Sequence, residues 1–462
     1  MPEHHSNLRI VLISTYELGR QPFGLASPAA WLRRDGYHVT TADIAVEAFP
    51  ADAICRADAV AFYVPMHTAT RLAVQLINRV RQLNPQAHLC FYGLYAPVNE
   101  RYLRKLGVQT ILGGEFEEGL LSLCRRLHVN RKSGIYDAQS EPVISLSRLE
   151  FKKPDRHKLP DLSNYAQLYS ENSPPKIAGY VEASRGCKHL CRHCPIVPIY
   201  NGRFRIVPKE VVRQDIRQQI ESGAQHITFG DPDFFNGPGH AIPIVQSLHK
   251  EFPDLTYDVT IKIEHLLKQQ SLLPILKETG CEIVTSAVES IDNDILEIFD
   301  KGHTREDFIR VVKIFDQIGL NLNPTFVTFT PWTTLEGYLE LLATLTDLNL
   351  IENISPIQLA IRLLIPEGSR LLEHPKAQKH TGVYNQEMLS YDWRNPDRRV
   401  EELFQKVREI IHSGQNQGLS RREIFLEIWD CTNTFADDNR RLPVQNHRSR
   451  ATIPYLNEPW YC

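Results

Sequence analysis

Three cysteines stand close together in Gly186-Cys187-Lys188-His189-Leu190-Cys191-Arg192-His193-Cys194-Pro195. Thiolates at Cys-x3-Cys-x2-Cys can hold three corners of a cubane iron–sulfur cluster and leave the fourth iron without a protein ligand. An open iron is a place for chemistry. A structural zinc site needs four ligands, and His189 or His193 could supply the fourth, so the spacing alone leaves both metals open. Two features favour the cluster: the cysteines follow a strand-like run and a glycine turn, and further strand–helix units come after them. The six other cysteines do not read as a disulfide framework in a chain of 462 residues. Cys55, Cys90, Cys124 and Cys281 sit in apolar patterns and read as core, Cys431 lies in a C-terminal helical pattern, and Cys462 ends the chain.

The elements that must position this loop form two series. Residues 1–130 alternate strand-like runs (10–14, 59–65, 87–93, 108–114) with amphipathic helices, the rhythm of a doubly wound, flavodoxin-like parallel sheet. Ligands of such sheets bind beyond the carboxyl ends of the strands. That rim holds Ser14 to Tyr16, Pro65 to His67, Gly93 to Tyr95 and Gly113 to Glu115. Residues 131–175 are polar and rich in proline and read as a linker. A second series over 176–395 has strand-like runs at 177–186, 226–231, 255–263, 282–290, 322–330 and 354–364, which suits a partial (β/α)6 barrel. Residues 396–462 read as a helical extension with a cysteine-ended tail. The expected class is therefore α/β, with two domains and an extension.

Cys-x3-Cys-x2-Cys after the first strand of such a barrel resembles the radical S-adenosylmethionine (radical SAM) superfamily. The resemblance implies a [4Fe-4S] cluster on Cys187, Cys191 and Cys194 whose open iron chelates S-adenosylmethionine for reductive cleavage or related chemistry. It places His193 against the adenine. ITFGDPDFFN (227–236) resembles the segment that receives the methionine amino group, which makes Phe229, Gly230, Asp231 and Asp233 candidate contacts; Asp-Pro-Asp is also ordinary turn chemistry. TIKIEHL (260–266) resembles the third strand, with Lys262 and Glu264 directed into the barrel or into solvent. SAVESIDNDILEIFDKGHT (286–304) resembles the "GIES" segment, placing Glu289 and Ser290 near the ribose and methionyl groups, although Ser286 and Ala287 replace the usual glycine and apolar residue.

A doubly wound domain in front of such a barrel is similar to the cobalamin-binding radical SAM class. The resemblance implies Tyr16, Met66, Gly93, Leu94, Gly113 and Gly114 as contacts to the corrin and its nucleotide tail, with glycine permitting close backbone approach. The loop after the first strand lacks the Asp-x-His-x-x-Gly motif that supplies a cobalt ligand, and His67 reads as a loop residue. A flavodoxin-like module that binds nothing is the plain alternative. The tail Asn457-Glu458-Pro459-Trp460-Tyr461-Cys462, with GLYA (93–96), GGEFE (113–117), TPWTT (330–334) and IQLAIRLLIPEGS (357–369), resembles the CUAEP/CCAEP-tail radical SAM (seleno)protein group. That likeness implies a UGA selenocysteine codon after Cys462; a natural terminus in cysteine is the alternative.

With 52 basic against 55 acidic residues, no global field draws the chain to nucleic acid or an anionic membrane. No run reaches membrane-spanning length, and the start lacks a signal-peptide pattern, so a reducing cytoplasm is expected. The resemblance implies a flavodoxin or ferredoxin as reductant and a small molecule or peptide as substrate, with methyl transfer as the reaction. A non-catalytic iron–sulfur or metal-binding redox protein that uses the tail cysteine is the competing reading.

Overall fold

The computed structural model describes residues 7–133, 141–170, 173–437, 442 and 453–457. The first sheet consists of β1 (Arg9–Ser14), β2 (His38–Asp43), β3 (Ala59–Tyr63), β4 (His88–Tyr92), β5 (Thr110–Gly114) and β6 (Ile144–Ser145). Its order is β2-β1-β3-β4-β5-β6 and all pairs are parallel. β3, β4 and β5 are buried along their whole length, as a sheet covered on both faces by helices requires. Two apolar clusters, one on each face, form its core. β6 comes from the stretch that reads as linker, because a short extended run there finds the open edge of β5.

The second sheet has the order β14-β13-β12-β11-β8-β7-β17. Its parallel part is β8 (Lys176–Val181), β11 (His226–Phe229), β12 (Thr256–Thr260), β13 (Cys281–Glu289) and β14 (Asn321–Phe326), which form a curled half-barrel. The sixth strand expected at 354–364 is reduced to one bridge between Phe329 and Arg362, because Pro356 opens a 3-10 turn over Pro356–Ala360. Two antiparallel strands extend the other edge: β7 (Gln167–Tyr169) on β8, and β17 (Tyr455–Leu456), from the C-terminal tail, on β7. A hairpin of β9 (Ser184–Gly186) and β10 (Phe204–Ile206) brackets the cysteine loop. Helices 398–417 and 421–436 follow the half-barrel, and the second begins with a capping box in which Ser420 and Glu423 bond each other's backbone. Among the described residues no helix is long and apolar enough to cross a membrane. The tail residues from Glu458 to Cys462 lie outside the described residues.

Arg156, between the two sheets in sequence, locks them together. Its guanidinium donates to Asp215 at 2.6 and 2.8 Å, to the Tyr180 carbonyl at 2.7 Å and to Gln21 Oε1 at 2.8 Å. Arg156 and Asp215 are both buried, so losing one partner strands a charge away from water. Arg156→Ala is expected to lower the unfolding free energy by about 3–5 kcal/mol, measured as a fall in the urea midpoint.

Candidate functional site

Cys187, Cys191 and Cys194 lie at the carboxyl end of the first barrel strand, and the backbone before them is held from three directions. Asp231 accepts hydrogen bonds from the Ala183 amide (3.0 Å) and from the Ser184 hydroxyl. Burial pushes Asp231 up to about 7 despite these bonds. Gly186 turns the chain with φ +71°, where a Cβ would meet the Arg203 carbonyl oxygen at 2.4 Å, so only glycine fits. Arg185, two residues before Cys187, donates to Glu182 (2.7 Å), Glu115 (2.9 Å) and Glu117 (2.6 Å). Glu115 and Glu117 follow β5, so this one cation ties the first sheet to the cysteine loop. It cannot neutralise three carboxylates. Burial accordingly pushes Glu115 up to about 7 against the pull of Arg185, whereas Glu117, bonded also by Ser27, is held below the usual range.

Beside the thiols lies a second network that the sequence reading missed in part. A bulge in β13 between Ala287 and Glu289 turns Glu289 to φ +69°. Its carboxylate faces Lys301 Nζ at 3.3 Å and His193 Nε2 at 3.0 Å. Burial would raise Glu289, but Lys301 and His193 hold it down to about 2. Lys301 also lies within electrostatic reach of Cys191 and Cys194. It stands inside the segment 286–304, yet a lysine in a polar turn gives no signal of burial until the fold closes. Burial pushes the Cys187 thiol up and Cys194 to about 12, so thiolates form here only against positive charge. Lys301 supplies part of it and iron would supply the rest, which is the donor chemistry that a three-cysteine cluster needs.

The other expected contacts separate. Gly230 and Asp231 line the central cavity, and Phe229 reaches it while packing on Phe234 and Tyr257. His193 is not open on both faces: its ring lies 4.4 Å from the Phe299 ring. Ser290 opens a turn, accepting from the Asp292 amide at 3.0 Å. Lys262 and Glu264 are not strand residues, since β12 ends at Thr260 and a helix starts at Ile263. Asp233 caps a 3-10 turn through the Phe235 amide, and its Oδ2 lies 2.7 Å from His265 Nδ1 and 3.5 Å from His189 Nε2. His189, Asp233 and His265 bring ligating atoms within 4.8 Å of one another. Lys262 Nζ, 3.1 Å from His189 Nδ1, opposes a cation there.

Between the sheets lies a cavity of about 460 Å³, in the range of small-molecule and cofactor sites. Of the rim residues, Met66, Leu94 and Gly114 line it, together with Pro65, Glu17 and Tyr63. Tyr16, Gly93 and Gly113 do not. Tyr16 is buried, and the space a Cβ would take at Gly113, Gly114 and Gly93 belongs to Pro97, the Ser145 carbonyl and the Val64 carbonyl. The chain's own atoms therefore fill the Cβ side of these glycines, and Met66, Leu94, Ile196 and Tyr200 give an apolar wall suited to a flat macrocycle. His67 Nε2 is 2.6 Å from the Met388 carbonyl and so is engaged.

Residues 181–343 match the Radical SAM superfamily. That stretch holds the cysteine loop and the strands β11 to β14, so the half-barrel matches the radical SAM fold. Over 326 residues the chain is 24% identical to the hopanoid C-3 methylase of Methylococcus capsulatus, covering 68% of this chain and 62% of the methylase. Over 217 residues it is 28% identical to an uncharacterized methyltransferase of Pyrococcus horikoshii, covering 47% and 44%. The chain thus spans less than two thirds of the length of these two relatives. The cobalamin-dependent S-adenosylmethionine radical enzyme OxsB, with aqua-cobalamin bound, shares the fold at a TM-score of 0.65 and 16% identity over 88% of this chain and 67% of OxsB. The radical S-adenosylmethionine methyltransferase TsrM of Kitasatospora setae shares it at 0.55 and 16% over 74% and 70%.

The Glu289 pair predicts an acid response. A carboxylate held at about 2 in the fold, below its ordinary 4.5, contributes stability that is present above 4.5 and lost as pH falls through about 2. Glu289→Gln should therefore be less stable than the wild type at pH 7, with the gap narrowing below pH 4.5; denaturation of both proteins across this range measures it, and a constant gap would contradict it.

Proposed function

We propose that this protein is a cobalamin-dependent radical SAM methyltransferase acting on a small molecule or peptide. Cys187, Cys191 and Cys194 hold the cluster in this reading. Met66, Leu94 and Gly114 face the corrin, and His193, Gly230, Glu289 and Ser290 face S-adenosylmethionine. The observation that carries it is the shared cavity: the strand ends of the first sheet and the loop around Arg185 and Gly186 border the same space. The methylase and methyltransferase names of the two sequence relatives, and the cofactors that the OxsB and TsrM structures hold, support methyl transfer and cobalamin.

When bound, these groups supply one-electron chemistry and a carrier for methyl groups. The chain's own residues do the rest. Arg185 and its glutamates hold the cysteine loop against the first sheet. Glu17 is raised well above the ordinary carboxylate value by burial, with Glu182 and Asp43 adding to the rise. Tyr63, Phe116, Tyr180 and Tyr200 give the cavity aromatic walls. With His67 bonded to Met388, the described rim offers cobalt no histidine. The chain takes its electron from a flavodoxin or ferredoxin and works in the cytoplasm.

After anaerobic reconstitution with iron, sulfide, S-adenosylmethionine and hydroxocobalamin, the wild type should retain iron and corrin through desalting. With reductant it should form S-adenosylhomocysteine and 5′-deoxyadenosine. Cys191→Ala should lose iron and both products while keeping the corrin. Iron without corrin would remove cobalamin from the proposal, and an intact cluster that yields neither product would remove the enzyme.

We place the chain in the CUAEP/CCAEP-tail group, on the motifs at 93–96, 113–117, 330–334 and 357–369.

A further inference from the structure

Parallel strands buried on both faces ordinarily read as continuous apolar runs. The half-barrel departs from this on one face only. Ile227, Val259 and Val284 belong to the core beneath the sheet, while Thr228, Asp258, Thr285, Asn321, Asn323 and Thr325 line the cavity with Ile283 and Leu322 among them. A polar wall turned away from bulk water costs stability unless its groups find partners. Some do so within the wall: Thr228 donates to Asp258 at 2.6 Å and Asn323 Nδ2 to Thr285 at 3.2 Å. These bonds leave the amide oxygen of Asn323 for a ligand, and among the described residues no hydrogen bond is made by the Thr325 hydroxyl.

At the same cavity stands Arg421, the first residue of helix 421–436, set by the capping box of Ser420 and Glu423. Tyr455, on the tail strand β17, lies against it, with the guanidinium 5.9 Å from the ring centre. Arg421 thus bridges the seam between the β17 edge and the segment after β14, where its Nη1 donates to the Glu352 carbonyl at 3.1 Å. Among the described residues that is the one hydrogen bond of a group with five donors. Burial draws its pKa down to about 10, with only partial compensation from Glu352. Glu17, Glu182 and Asp231 also line the cavity, as do Arg20 and Arg185, the latter engaged by Glu115, Glu117 and Glu182.

We infer that the substrate is a hydrophilic small molecule bearing an oxyanion, a carboxylate or a phosphate, which Arg421 grips in its planar fork while Asn323 and Thr325 bond the hydroxyl or amide groups of its body. This assignment rests on the cavity being the substrate site of the proposed methyltransferase, and it names the class of molecule admitted. A lipid would leave the Thr and Asn wall unpaired.

The test is binding, kept apart from turnover. Reconstituted holoprotein is offered the polar-metabolite extract and, separately, the lipid extract of the same cells; it is then desalted and the retained compounds are identified by mass spectrometry. The wild type should retain an anionic metabolite from the polar extract. Retention should fall about tenfold in Arg421→Met, the scale of one lost charge-assisted bond, and several-fold in Thr325→Val, which removes only a hydroxyl. Iron and corrin content establish that each variant is folded, and Thr325→Val carries the test if Arg421→Met is not. Retention from the lipid extract alone, retention of neutral or cationic compounds alone, no retention from the polar extract, or equal retention by wild type and variants overturns the inference. S-adenosylhomocysteine formation in the same preparation reports on the methyltransferase reading, which can fail while binding succeeds.

Discussion

Arg185 is the constraint on which the rest of the structure depends. It sits two residues before Cys187, is buried, and answers to Glu115 and Glu117 of one sheet and Glu182 of the other. A guanidinium in that position is tolerable only if both sheets deliver their carboxylates, so the cysteine loop and the docking of the two sheets are coupled. The excess of acid over base around it is relieved by proton uptake, with Glu115 raised to about 7. Asp231 and Gly186 then take up the remaining freedom of the segment that leads into the loop.

The same economy of charge runs through the neighbouring Glu289, Lys301 and His193. Each would be costly alone in a buried setting, and together they pair within one network beside the thiols. The bulge that turns Glu289 to positive φ is the backbone strain that this arrangement requires, carried by a nine-residue strand anchored in the core through Cys281, Val284 and Val288. Phe299 closes one face of His193, which limits what can stack there.

The cavity inherits its character from strand alternation. Apolar residues on one face of the half-barrel build the core, and Thr, Asn and Asp on the other face line a chamber that the tail strand and Arg421 seal at the seam. On the side of the first sheet the wall is apolar, through Met66, Leu94 and Ile196. One chamber thus offers a flat apolar surface at one side and hydrogen-bonding groups at the other, which is the division of labour expected where a large cofactor and a polar substrate meet.

Much of this was legible in the order of residues. Cys187, Cys191 and Cys194 announce a metal-binding loop because ligand spacing is local, and the two strand–helix series announce parallel sheets because their periodicity is local. The sequence also located Gly230, Asp231, Met66, Leu94 and Gly114 on strand ends, since such ends follow from where apolar runs stop. It did not reveal that Gly93 and Gly113 make room for Val64 and Pro97, that Lys262 and Glu264 lie past the end of β12, or that 354–364 is too broken by Pro356 to pair as a strand. Nor did it mark Arg185, Lys301 or Arg421. An arginine or lysine reads as a solvated surface residue until distant carboxylates or an enclosed cavity surround it, and burial and long-range charge pairing are properties of the closed fold rather than of any stretch of chain.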